Sequence, residues 1–372
     1  MTPQNLVFDL LPQAVMHALG WTLLHSLWQG ALLAVVLAAV LALMHRHSAA
    51  TRYYVAGAGL VVLLGLAVIT FLQVYEPNGG AYLMNHAEGA AGSVTATVSL
   101  PDAEASSGYF ASVWAQSQAY FNQHLPAVVA LWLLGMVMMG LRLLGGWAYV
   151  QRLKTYRTRP VPEAWQHKAQ ELSRQLGITQ LVRVVESAMV KVPLVIGHFK
   201  PIVLLPIGAL TGLSTAQIEA VLAHELAHVH RRDYLMNLLQ SLVETLFFFH
   251  PAVWWISDCV RTEREHACDD LAIALCGDSL TYAYALTTLE ELTMKKNEKS
   301  PRMAMAFSGR RRSLLSRITR VVQKSTLRPS FSEGFLASCA VIAGVLVFSA
   351  SAWAKYPAKM EKWSLRSRLP PP

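Results

Sequence analysis

Residues 31–44 read Ala-Leu-Leu-Ala-Val-Val-Leu-Ala-Ala-Val-Leu-Ala-Leu-Met, and no charged side chain occurs between Leu10 and His45. An α-helix needs roughly 20 apolar residues to cross a bilayer core. Three more uncharged runs follow, from Tyr53 to Tyr75, from Ala105 to Leu141 and from Gly334 to Ala354. Four membrane helices are therefore expected, at about 18–44, 53–75, 122–148 and 334–354. The first is not a signal peptide, because no Lys or Arg precedes it and the run is too long. Composition agrees: 53% of the 372 residues are hydrophobic and 15% charged, against about a quarter charged in soluble domains. Disorder and a small disulfide scaffold are excluded. Cys259, Cys268, Cys276 and Cys339 show no CxxC spacing, and the first three are expected to stay thiols in a reducing compartment.

The net charge of +9 acquires its meaning from where the basic residues fall. None occurs in residues 1–45 or 76–120, whereas Arg142, Arg152, Lys154, Arg157 and Arg159 follow the third run. The positive-inside rule then puts the N-terminus and a Gly-, Ala- and Ser-rich loop, 76–120, outside, and residues 149–333 in the cytoplasm. Arg310, Arg311, Arg312, Arg317, Arg320, Lys324 and Arg328 precede the fourth run, against five basic residues in the tail 355–372, so the tail is expected outside. The Arg310–Arg312 run reads as a solvated flank drawn to anionic lipid. Direct nucleic-acid binding is not expected, because these charges hug membrane spans instead of lining one face of a module.

The chemistry lies between the third and fourth runs. Val182–Val185 and Leu194–Leu205 read as short strands, with Pro193, Gly197 and Pro201 marking a sheet edge. Ser214-Thr-Ala-Gln217 has capping-box form and opens an amphipathic helix. That helix carries His224-Glu225-Leu-Ala-His228. Histidines at i and i+4 share one helix face, so both can bind one zinc ion, and Glu225 between them can act as general base. A catalytic zinc needs a third protein ligand. Glu265 and Asp269 stand one turn apart in Glu263-Arg-Glu265-His-Ala-Cys-Asp269. This makes Glu265 the expected ligand and Asp269 the group that fixes a ligand histidine's tautomer. Glu263 would face elsewhere on a helix; His266 and Cys268 are also chemically competent ligands. Asp233 reads as an interfacial ion pair in preference to a support for a ligand, and Glu244 as a hydrogen-bonded structural acid or a proton-transfer group. His250-Pro251 reads as a helix end, and Trp254 and Trp255 as an interfacial belt.

The stretches VPLVIGHFKPIVLLP (192–206), HELAHVHRRD (224–233), FFFHPAVWW (247–255) and EREHACDD (263–270) resemble the integral-membrane zinc peptidases of the BlaR/MecR type, within the gluzincin group. The resemblance covers most of residues 15–355. It implies one Zn2+ held by His224, His228 and Glu265, with Glu225 as base. It also implies a mainly α membrane protein with a zincin-like α+β peptidase domain at 149–333, facing the cytoplasm between helices three and four. The expected activity is endopeptidase cleavage of a cytoplasmic or membrane-associated protein in regulatory signalling, such as inactivation of a cytoplasmic repressor. A quality-control protease or a scaffold with a structural metal is the alternative, though a structural site has no use for Glu225. Some relatives cleave themselves in the cytoplasmic region, which makes the Arg310–Arg312 run a candidate processing site. Only residues 355–372 follow the fourth run and no Ser-x-x-Lys occurs, so covalent β-lactam labelling is not expected.

Overall fold

The computed structural model describes residues 12–75, 105–297 and 304–323. The expected fourth span, most of the 76–120 loop and the tail lie outside these residues. Among these residues three helices are long and apolar enough to cross a membrane: α1 (Gln13–Leu43), α2 (Ala49–Val74) and α3 (Ala105–Leu153). A 3-10 turn at Met44–Arg46 joins α1 to α2, and the Ser48 hydroxyl caps α2 by accepting from the Thr51 N–H at 3.2 Å. Helix α3 starts at Ala105, within the segment read as a loop, and continues through Pro126 to Leu153. At about 1.5 Å per residue it is far longer than a bilayer core of about 30 Å.

The segment after α3 begins with a small sheet. It comprises β1 (Thr158–Pro160), β2 (Arg183–Ser187), β3 (Leu194–Ile196) and β4 (Ile202–Pro206), with α4 (Glu163–Gln175) between the first two. Strand order is β1-β2-β4-β3; β2 and β4 run parallel and the outer pairs antiparallel. The edge expected over 194–205 is therefore only β3, and β4 is interior. Pro201 and Pro206 sit at the limits of β4, where neither removes a donor from the middle of the ladder. Between β3 and β4 the chain turns at Gly197 (φ +96°), where a Cβ would lie 2.8 Å from the Lys200 carbonyl oxygen. Only glycine fits that turn.

The rest of the described residues form helices: α5 (Ala209–Gly212), α6 (Thr215–His230), α7 (Asp233–Leu246), α8 (Pro251–Cys276), α9 (Ser279–Asn297) and α10 (Ala304–Gln323). The expected capping box at α6 is present: Ser214 and Gln217 each satisfy the other's backbone N–H. His250-Pro251 opens α8 as well as following α7. The His250 Nδ1 accepts from the Ala252 N–H at 3.1 Å, and Pro251 occupies the first turn, where a missing N–H costs nothing.

Two apolar cores meet along α8. Val253, Ile256 and Val260 pack with Leu37, Tyr53, Leu60 and Leu63 of the membrane helices. Further along, Ala272 joins Leu172, Val203, Leu205, Leu222, Leu226 and Tyr282 in the core of the sheet and helices. One rigid helix thus runs from the membrane bundle into the region bearing the HExxH motif. Its first half is tied to α1, where the His250 Nε2 lies 2.9 Å from the Ser26 carbonyl oxygen. It is tied also to α7, where Glu244 accepts from the Ser257 hydroxyl and the Arg261 guanidinium. Of the two roles read for Glu244, these contacts describe the structural one.

Candidate metal centre

Helix α6 enters the core with Ile218, Val221, Leu222 and Leu226 buried, and this fixes the phase of its polar residues. His224 and His228 come out on the adjoining face, their rings 5.0 Å apart and nearly perpendicular. Helix α8 crosses α6 and brings up Glu265, whose Oε2 is 3.6 Å from His224 Nε2. Ligand atoms of His224, His228 and Glu265 all lie within 4.8 Å of one another. Donors about 2.0–2.1 Å from a tetrahedral zinc stand roughly 3.4 Å apart, so this set fits such an ion with small adjustment.

The far side of each imidazole is occupied. His224 Nδ1 lies 2.9 Å from the Tyr282 hydroxyl and 3.3 Å from Asp269 Oδ1. Tyr282 in turn donates to Asp269. His228 Nδ1 donates to Asp233 Oδ2 at 2.8 Å. Both histidines therefore keep Nε2 for a metal, the arrangement in which a carboxylate behind the ring sets tautomer and orientation. His228, Asp233 and Cys268 form a second group within 4.8 Å. Asp233 and Cys268 both meet His228 at Nδ1, with Cys268 Sγ at 3.3 Å, the side opposite the Nε2 left for a metal.

Other sequence candidates fall elsewhere. Glu263 points away and pairs with Arg52 of α2 at 2.7 Å, and His266 lies against Glu263 at 3.7 Å. Asp233 does pair with Arg231, as read from the sequence, at 3.5 Å, but it also holds His228, a role ranked second there. What brings it round is the α6–α7 corner, where Arg232 takes a left-handed backbone (φ 55°) rare for a side chain with a Cβ. Tyr282 and Arg317 were not singled out at all. Arg317, read as one of a basic flank, is instead turned inward: it donates through Nε and Nη2 to Asp269 at 3.0 and 2.6 Å and lies 3.4 Å from Glu265. The spacing of Arg317 and Arg320 was a usable signal, since one turn of α10 pairs them with the adjacent Asp269 and Asp270.

Electrostatics follow from this packing. Burial disfavours charge on His224, but hydrogen bonds to Asp269 and Glu265 outweigh it and hold its pKa up at about 9. Burial also works against the charged forms of Glu265 and Asp269. Their neighbours, His224 and Arg317, prevail and keep both carboxyls well below the usual range. Glu225 is shifted the other way, upward, because burial exceeds the pull of the two histidines. An elevated carboxyl is suited to taking and returning a proton near neutrality.

A consequence can be measured. A metal needs neutral His224, whereas the metal-free protein holds that ring protonated below about pH 9. Zinc uptake should release this proton, so apparent affinity should fall about tenfold for each pH unit lowered from 9 toward 7. Competition with a chromogenic chelator across that range measures the slope; a flat profile would contradict the charge assignment.

His224, His228, Glu265 and Arg317 line a cavity of 480 Å³ with Glu225, Tyr234, Asn237 and Leu314, and β3 forms one wall through Leu194 and Val195.

Membrane-spanning helices joined to an HExxH helix and a downstream glutamate define a membrane protein of metallopeptidase type. The chain belongs to the BlaR1 peptidase M56 family, whose model matches residues 21–321. It is 29% identical over 155 residues to the regulatory protein BlaR1 of Bacillus licheniformis, covering 42% of this chain and 26% of that protein. It is 30% identical over 77 residues to the methicillin resistance mecR1 protein of Staphylococcus aureus, covering 21% of this chain and 13% of that protein. The matches thus span about a quarter or less of those curated relatives. The first of these relatives is named a regulatory protein.

Proposed function

We propose that the chain is a zinc endopeptidase that cuts a cytoplasmic or membrane-associated protein, such as a repressor, within a signalling pathway. The observation that carries this reading is the convergence of two oriented histidines and Glu265 beside a buried Glu225, in a cavity walled by the outer strand of the sheet. Bound Zn2+ would supply a Lewis acid that polarises the scissile carbonyl and makes water a stronger acid. Glu225 accepts the proton of the water that attacks the carbonyl carbon. It then delivers that proton to the leaving amine as the C–N bond breaks, giving a carboxylic acid and an amine, and the acid's own proton passes to the amine to leave a carboxylate and an ammonium. Asp269 and Tyr282 hold His224 in place, and Asp233 holds His228. Among the described residues no strand pairs with the outer edge of β3, to which an extended peptide can add as a strand.

The Lys and Arg distribution supports a cytoplasmic site. A reporter fused near residue 170 should behave as cytoplasmic and one fused near residue 100 as external; the reverse at both would move the substrate pool across the membrane. The peptidase reading is tested by comparing new protein N-termini in cells carrying the native chain and its Glu225→Gln form. Termini present only with the native chain identify substrates. Identical sets would favour a scaffold with a structural metal.

A further inference from the structure

The metal centre is supported from an unexpected place, the first turn and a half of the second membrane helix. Tyr53 is 2% exposed and belongs to the buried apolar cluster of the membrane helices and the first half of α8. Its hydroxyl donates to Asp233 Oδ1 at 3.0 Å, while the other oxygen of the same carboxylate accepts from His228 Nδ1 at 2.8 Å. The three groups form one chain of hydrogen bonds across 180 positions of sequence. The Arg231 guanidinium lies 4.5 Å over the Tyr53 ring, which fixes the ring plane from the other side. The preceding residue, Arg52, makes the buried pair with Glu263, two positions before Glu265 on α8. Adjacent residues of α2 therefore reach Asp233, which holds His228 of α6, and Glu263 of α8, which faces away from Glu265.

We propose that Tyr53 is a positioning residue for the metal ligand His228, acting through Asp233, so that membrane helix α2 is part of the metal centre's framework. The inference rests on the zinc reading above and goes beyond it by assigning a role to a residue in a membrane helix. A carboxylate with two oxygens can rotate about its Cβ–Cγ bond. Tyr53 occupies one oxygen and so directs the other at the imidazole. Without the phenol, Asp233 can turn toward Arg231, which already stands 3.5 Å from Oδ1 and whose buried Nε and Nη2 find no hydrogen-bond partner among the described residues. His228 would then lose the group that sets its tautomer.

The test uses the full chain in lipid nanodiscs, stripped of metal and titrated with Co2+, whose visible absorption reports the ligands, and with Zn2+ against a chelator. Tyr53→Phe should weaken Zn2+ binding about 10-fold, the lower end of what losing a ligand's support costs, and should change the Co2+ spectrum. Tyr54→Phe, at a residue 57% exposed, should do neither. Asp233→Ala should cost up to about 100-fold, and adding Tyr53→Phe to it should cost nothing further, because both act on one contact. Losses that multiply in the double variant would mean that Tyr53 merely packs, and would overturn the inference. An affinity within twofold of native for Tyr53→Phe would do the same. Should Asp233→Ala fail to fold, the Co2+ spectrum of Tyr53→Phe decides alone: unchanged, it overturns the proposal; altered while Tyr54→Phe stays native-like, it supports it. A native chain that takes up no Co2+ or Zn2+ would fell the zinc reading and this one together, whereas native uptake with a silent Tyr53→Phe would fell this one only.

Discussion

Glu225→Gln should lower peptide hydrolysis by about 10²- to 10⁴-fold, the contribution of a positioned base, while leaving metal content unchanged. The separation of the two readouts comes from position. Glu225 stands between His224 and His228 on α6 and lines the same cavity, but it is not among the three residues whose donor atoms converge. Glutamine keeps the volume of the side chain in a site where Glu225 is 6% exposed, so packing around Leu222 and Leu226 should survive. It cannot accept the proton of the attacking water. Burial raises the Glu225 pKa, and the sign of that shift brings the group toward the pH at which it must cycle between carboxylate and acid. Loss of metal together with activity would mean that Glu225 is a ligand. Full activity would remove the base from the reaction. Metal content by atomic absorption and cleavage of a co-expressed substrate distinguish these outcomes.

What was legible in the sequence is what helical periodicity encodes. The capping box, the spacing of His224 and His228, and the one-turn relation of Glu265 to Asp269 depend on residues at most 4 apart on one helix, and the structure places each on a helix. The supports were harder to read because they depend on how helices meet. Asp233 follows two arginines, and a local reading pairs it with them; only the left-handed turn at Arg232 reveals that it also faces back to His228. Tyr282 and Arg317 arrive from α9 and α10, which no local pattern ties to α6. The strand edge was legible as prolines but misplaced in extent, since a proline at a strand's limit and one in its exposed flank look alike in sequence. Apolar composition marks the membrane helices well, yet it does not say that α8 shares their core, because its apolar first half reads equally as a buried helix of the peptidase region.

Glu265→Ala should abolish metal retention, whereas Glu263→Ala should keep the metal and lower thermal stability. Both glutamates lie on α8, two positions apart, and nothing in composition distinguishes them. The partners do. Glu265 faces His224 at 3.6 Å and shares its cavity, so its loss leaves two histidine ligands where a zinc site requires three protein donors. It also leaves Arg317 without one of its two carboxylate partners, a positive charge beside the site that further opposes a cation. Glu263 faces Arg52, with side chains 13% and 6% exposed. Removing one partner of so enclosed a pair strands the other, at a cost of about 3–5 kcal/mol. Asp269→Ala should fall between the two for metal, weakening affinity about 10- to 100-fold, since it supports His224 without ligating. Metal content and a melting curve on each purified variant separate the three. Retained zinc in Glu265→Ala with lost zinc in Glu263→Ala would require α8 to be rotated by more than half a turn, and with it every contact that joins this helix to both the membrane core and the metal centre.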